Sequence, residues 1–236
     1  ISGAARVEKR YDPGVSDTEI KIGQTVPLSG PVSAYGTFSR ASLAYFAMIN
    51  DHGGVGGRKI DLLSVDDGFS PPRTVEQTRK LVEGDGVFLI FAPVGTAPGI
   101  AVQKYLNAKK ILQLLLQSGI SRWNDPQHFP WSMSGLPNYD TEAHQYAGYI
   151  LAHKPGARIA VLYQNDDFGK EYLRGLQQGL GDAAGKMIVD AESFELTDPT
   201  VDSQVITLAG SGADTFLVAA TSKQTAQALK RAHDIG

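Results

Sequence analysis

A chain of 236 residues that is 42% hydrophobic and 20% charged has globular composition, with apolar material for one large core or two modest ones. Its 22 basic and 25 acidic side chains leave a net charge of −3, which excludes the basic field that holds nucleic acid by counterion release. With no cysteine there is no thiol nucleophile, thiolate metal site or disulfide, and no apolar run approaches the roughly 18–20 residues that span a bilayer.

Ile1 to Arg10 carries no charged start followed by an apolar core, so a secretory signal is expected to have been removed or never to have existed. From Glu19 onward short apolar runs alternate with amphipathic stretches, the signature of βα units. The pattern predicts a strand over Glu19 to Pro27, then a helix over Tyr35 to His52 with Leu43, Phe46, Ala47 and Asn50 at 3–4 spacing, closed by Gly53-Gly54. A second strand follows over Arg58 to Asp66, and Ser70-Pro71, a capping residue before a first-turn proline, opens a helix to about Glu83. Val87 to Phe91 reads as the third strand, Thr96 to Asn107 as a helix and Ile111 to Leu116 as the fourth strand. Such nearly continuous apolar strands belong to a parallel sheet covered by helices on both faces.

Gln117 to Asn138, with Asn124-Asp125-Pro126, Pro130, Gly135 and Pro137, is too long and proline-rich for another βα turn, and a domain crossing is expected there. The rhythm then restarts with helix Asp140 to His153, strand Arg158 to Gln164, helix Phe168 to Ala184 and strand Met187 to Phe194. Helix Asp202 to Ala209, strand Thr215 to Ala219 and helix Lys223 to Asp234 complete it. The expected units are residues 1–136 and 137–236. The second has about three strands against four, and is expected to be incomplete in this chain, with an open sheet edge.

Enzymatic chemistry finds little support. The five histidines are scattered without HxH or HExxH spacing, so no metal site is expected. Gly53 to Lys59 resembles a phosphate loop only superficially, because it follows a helix and precedes a strand. Ser134 and Ser211 lack the context of a nucleophile elbow, so no catalytic residue and no cofactor are assigned. Asp66-Asp67 and Asp166-Asp167 lie at carboxyl ends of strands, where turn-capping is the favoured reading and a ligand role the other. Three loops at such ends are small, hydroxyl-rich and glycine-rich: Leu28 to Gly36, Pro93 to Pro98 and Gln117 to Ser121. Their backbone amides can approach a small ligand, Tyr35 offers an aromatic wall, and Gly95-Thr96 opens a helix N-terminus suited to a carboxylate, with the Thr96 hydroxyl facing solvent in an empty cleft.

The order Ile20-Lys21-Ile22-Gly23, Pro27 to Pro31, Tyr35-Gly36, Asn50 to Gly54, Gly57 to Ile60 and Asp66-Asp67 resembles the opening of the branched-chain amino-acid-binding proteins of ABC importers, which have the type I periplasmic binding protein fold. Pro93 to Thr96 and Ile159 to Gly169 extend the likeness, which runs from about Val15 to Gly236. The resemblance implies two doubly wound α/β lobes, joined near Ser134 to Asn138 and closing over a ligand. It implies a monomer that binds a small carboxylate-bearing solute and passes it to a membrane permease, in the periplasm or outside the cell. It places Tyr35, Gly95, Thr96, Ser118, Gly119 and Ser121 on the ligand from the first lobe, and Phe168, Thr221 and Ser222 from the second. The segment Gln117 to Trp123 departs from the family's Ser-Pro-x-Ala-Thr pattern, and Thr221-Ser222 stand where members binding aliphatic amino acids tend to have Tyr. The implied ligand is therefore a hydrophobic or branched-chain amino acid, or an aromatic acid. A ligand-sensing module of a receptor or regulator is the alternative on the same fold.

Overall fold

The computed structural model describes residues 10–236; the signal-peptide reading of Ile1 to Arg10 falls almost wholly outside them. Strands β1 (Glu19–Val26) and β2 (Lys59–Asp66) pair in parallel over eight residues, from Glu19 opposite Lys59 to Val26 opposite Asp66. Helix α1 (Thr37–Asp51) connects them, and α2 (Pro71–Arg79), extended by a π-type turn to Gly84, leads to β3 (Ile90–Phe91). Helix α3 (Thr96–Lys109), β4 (Gln113–Leu116) and β5 (Ser132–Ser134) complete a sheet of order β2-β1-β3-β4-β5, parallel throughout. The second half holds α4 (Tyr139–His153), β6 (Ile159–Gln164), α5 (Asp167–Leu180), the short α6 (Ala184–Met187), β7 (Ile188–Phe194), α7 (Asp202–Gly210), β8 (Thr215–Ala219) and α8 (Ser222–Asp234). Its sheet is parallel in the order β7-β6-β8.

Each sheet has its own core. Leu81, Val87, Ile90, Val102 and Leu106 fill the space under α2 and α3. In the second sheet Ile159 and Val161 face α4 and α5 while Leu162 and Phe194 face α7 and α8, so successive residues of β6 bury on opposite sides. That two-sided burial explains why Ile159, Ala160, Val161 and Leu162 are all within 2% of full burial. A fourth cluster of Leu116, Ile120, Trp123 and Tyr139, with Phe168 and Tyr172 packed on it, belongs to both halves.

Three expectations require correction. The proline-rich stretch is not all connector, because Ser132–Ser134 forms β5, with the Gln113 N–H bonding the Trp131 carbonyl at 2.7 Å and the Gly135 N–H bonding Leu116 at 2.8 Å. Three polar-flanked residues carry no hydrophobic period from which a strand can be read. In α1 the apolar stripe is rotated: Leu43 is 45% exposed, while Ser39 is buried and Asn50 turns to β2, where its amide clasps both backbone groups of Ile60 at 2.8 Å. Finally, Ser70 occupies the N-cap of α2 without a side-chain bond. Asp67 does the tethering instead, accepting from the Phe69 N–H and the Thr74 hydroxyl.

Candidate functional site

In both sheets the strand order reverses beside the first strand, between β1 and β3 and between β6 and β8. Open α/β sheets bind ligands outside the carboxyl ends at such reversals. The loops leaving those strand ends wall a single cavity of about 560 Å³, its open mouth included.

The first wall begins with the loop after β1. Asp66, at the end of β2, pins it: one carboxylate oxygen accepts from the N–H groups of Leu28, Ser29 and Gly68, the other from the Ser29 hydroxyl at 2.6 Å. Partial burial acts to raise the Asp66 pKa, but the Ser29 hydroxyl and the three N–H groups outweigh it and hold the carboxyl down at about 2. The pinned loop carries Tyr35, and the first turn of α1 carries Phe38, into the cavity wall, where their rings stack with centroids 6.2 Å apart. Asp67 is fully buried, and that burial pushes its pKa up. Its bond to the Phe69 N–H fixes a turn in which Phe69 has φ +59°, a left-handed conformation that is uncommon for an aromatic residue. The Phe69 ring then lies on Gly95, where a Cβ would come within 2.4 Å of Cε2.

Gly95 has φ +109° and opens α3 without a side-chain cap. Thr96 follows it, 5% exposed, with its hydroxyl 2.7 Å from Ser118 Oγ; Ser118 in turn accepts the Trp123 indole N–H at 3.0 Å. The expected solvent-facing hydroxyl is thus corrected: the Thr96 side chain is buried and bonded, because Ser118 turns inward from the end of β4. The Tyr139 phenol lies against the same hydroxyls. Burial pushes its pKa up, against the opposing pull of hydrogen bonding from the Gly119 backbone, Ser118 and Thr96.

The second wall comes from the loops after β6 and β8. Asp166 caps α5 by accepting the Gly169 N–H at 3.1 Å, and it also accepts from the Gln164 side-chain amide. Burial pushes the Asp166 pKa up, partly offset by these bonds, and the neighbouring Asp167 adds to the rise. Gln164 is 2% exposed, and its Oε1 has no hydrogen-bond partner. Phe168 meets Tyr139 edge-on at 5.1 Å, and the Thr221 hydroxyl donates to Gln224 at 2.7 Å.

Of the residues singled out from the sequence, Tyr35, Gly95, Thr96, Phe168 and Thr221 line this cavity. Ser118 lies behind Thr96 as its hydrogen-bond partner. Gly119 is pressed on the crossing, where a Cβ would meet the Pro137 carbonyl at 2.1 Å, and Ser121 gives its N–H to the buried carboxylate of Glu171 on α5. Ser222 is an exposed residue at the start of α8. Gln117, the first residue of a loop singled out from the sequence, lines it too, whereas sequence reasoning missed Phe38, Phe69, Leu136, Tyr139 and Gln164, all of which line the cavity. Asp166 was visible as a strand-end carboxylate, and it both caps α5 and faces the cavity. Among the described residues no cluster of His, Asp and Glu could hold a metal ion, and no helix is long and apolar enough to cross a membrane.

A family model described as periplasmic binding protein matches residues 19–236. The chain belongs to that family. Its two doubly wound parallel α/β lobes are those of the type I periplasmic binding protein fold. The chain is 28% identical over 165 residues to a Leu/Ile/Val-binding protein of Rhizobium johnstonii, covering 66% of this chain and 42% of that one. It is 24% identical over 226 residues to a Leu/Ile/Val-binding protein homolog of Brucella melitensis, covering 92% and 59%. Among solved structures, a substrate-binding periplasmic protein from Ralstonia solanacearum superposes with a TM-score of 0.80 at 25% identity, covering 92% of this chain and 61% of that one. The chain therefore spans about two-fifths to three-fifths of the length of these relatives.

Proposed function

We propose that the cavity holds a small hydrophobic carboxylate-bearing solute, a branched-chain or other hydrophobic amino acid or an aromatic acid, between the two lobes. The protein then works outside the cytoplasm as the non-catalytic solute-binding component of an ABC importer and presents its cargo to a membrane permease. The observation that carries this reading is one cavity walled by both lobes, with five aromatic rings, those of Tyr35, Phe38, Phe69, Tyr139 and Phe168, around a helix N-terminus. Rings supply apolar contact area at little entropic cost, and the uncapped start of α3 supplies N–H donors. The Leu/Ile/Val-binding relatives support the same class of ligand.

Thr96 is the proposed carboxylate donor, and its neighbours give it a direction. Trp123 Nε1 can only donate, so Ser118, accepting from it, can pass its own hydrogen to Thr96, whose hydroxyl hydrogen then goes to the ligand or to the adjacent Tyr139 phenol. Isothermal titration of the full-length protein with leucine, valine, phenylalanine and benzoate tests the reading. Saturable one-to-one binding of at least one probe is expected, and no binding of any of them would refute it.

A further inference from the structure

Phe69 brings its ring to the cavity from a backbone conformation that aromatic residues seldom adopt. Its φ of +59° is left-handed, and a bulky residue there carries a strain that persists only where the surroundings over-determine it. Asp67 supplies that constraint. Fully buried, it takes the Phe69 N–H at 2.9 Å on one carboxylate oxygen and the Thr74 hydroxyl at 2.8 Å on the other, and its carbonyl takes the Ser70 N–H at 3.0 Å. The opposite side is shaped to match. Gly95 has no side chain where the ring lies, and an added Cβ would stand 2.4 Å from Cε2 and 2.8 Å from Cζ. A glycine would make the Asp67 turn without strain, so the strain serves the ring and not the turn.

We propose that Phe69 is a specificity-determining residue, a fixed ring that rejects ligands carrying extra bulk beside their carboxylate. The inference rests on the solute-binding reading of the cavity, with the carboxylate at Thr96, and adds to it a size limit set from the first lobe. Thr96 directly follows Gly95 and lines the cavity together with Phe69. A carboxylate on the Thr96 hydroxyl therefore leads its first carbon atoms past the ring that covers Gly95. The ring cannot withdraw toward the helix start, because Cε2 and Cζ already occupy the space a Cβ of Gly95 would need, and Pro98 Cγ stands 3.1 Å from that same position. Nor can the backbone yield without breaking the bonds to Asp67. A wall held on both sides excludes a methyl group that a mobile side chain would accommodate by rotating.

The test is calorimetry on the full-length protein with leucine, valine, phenylalanine and benzoate, each against its counterpart with one methyl added beside the carboxylate: the α-methyl amino acids and 2-methylbenzoate. For each parent compound that binds, the methylated counterpart is expected to bind more weakly by about tenfold or more. Phe69→Leu should shrink that ratio, and Phe69→Gly, which accepts φ +59° without strain, should bring it close to one. A ring that only packs the turn would, when removed, weaken both members of a pair alike and leave the ratio standing. A wild-type ratio near one, or an unchanged ratio in Phe69→Gly, would overturn the specificity role and leave the solute-binding reading intact. If the glycine variant binds neither member, Phe69→Leu decides, and a ratio equal to that of the wild type overturns the role. Absence of binding by all of the parent compounds would overturn the solute-binding reading and the proposal with it.

Discussion

Replacing Thr96 with valine keeps the β-branched shape and deletes one hydroxyl whose two roles can be measured separately. The hydroxyl is buried and lies 2.7 Å from Ser118 Oγ, which retains the Trp123 indole donor after the deletion. The unliganded protein therefore loses one neutral hydrogen bond without orphaning its partner, about 1 kcal/mol. In a protein of this size about 1 kcal/mol lowers Tm by roughly 2–4 °C. Binding loses more. A hydrogen bond to a ligand carboxylate is worth roughly 1.5–3 kcal/mol, so Kd for a bound amino acid should rise about 10- to 150-fold. Circular dichroism melts and isothermal titration on the full-length protein read the two effects. A lowered Tm with an unchanged Kd would leave Thr96 as packing alone and move the carboxylate to another donor, and an unchanged Tm would contradict the buried bond itself.

Gly95→Ala should be severe, because its Cβ would stand 2.4 Å from the Phe69 ring on a backbone at φ +109°. A stability loss of about 1–3 kcal/mol in urea is expected, with ligand affinity falling as the ring is driven toward the cavity; wild-type affinity would show that Phe69 has room elsewhere. Asp66 makes stability pH-dependent in a stated direction. Its folded pKa of about 2 lies below the usual 3.8, so its contribution is present above about pH 4 and is lost as pH falls through 2. After allowance for solvent screening that contribution is about 1–2 kcal/mol, and Asp66→Asn should flatten the acid limb of the stability curve by that amount. On α5, Glu171→Gln keeps an acceptor for the Ser121 N–H, whereas Glu171→Ala orphans it, so alanine should be more destabilising by about 1–3 kcal/mol; equal losses would deny that this bond matters.

The alternation of strand and helix was legible because burial on both faces leaves near-continuous apolar runs such as Ile159 to Leu162, and the rule that sites lie at carboxyl strand ends then led to Tyr35, Gly95 and Thr96. What could not be read has physical causes. Phe69 reaches the cavity through a left-handed turn set by Asp67, and no local pattern announces that an aromatic residue will accept such a backbone. Ser118 carries the composition of a ligand loop, yet it points inward because Trp123, five residues on, brings an indole donor to its hydroxyl. The rotated face of α1 follows from Asn50, whose amide pairs with the Ile60 backbone and outweighs the exposure of Leu43.

The junction between the lobes is also more than a connector. Tyr139, the first residue of α4, gives its N–H to the Gly119 carbonyl at 2.9 Å, stacks on Tyr172 at 5.0 Å and brings its phenol to the Thr96–Ser118 pair. The Ser134 hydroxyl donates to the Ser118 carbonyl at 2.8 Å, and Glu171 holds the Ser121 N–H from α5. The stack lies within the second lobe, while the other contacts tie the β4 loop of the first lobe to the crossing or to the second lobe, and the Tyr139 phenol and Ser118 also meet the hydroxyl proposed to hold the ligand carboxylate. A rotation of one lobe on the other must pivot about this packed joint, since separating it would strip the Glu171 carboxylate and the Ser121 N–H of each other in a buried setting. The cavity walls farther from the joint, formed by Tyr35 and Phe38 on one side and Thr221 on the other, then have the longer lever arm. On the solute-binding reading proposed above, a ligand contact at those walls would bias the lobe angle, whereas one at Thr96 would add affinity without requiring the joint to move.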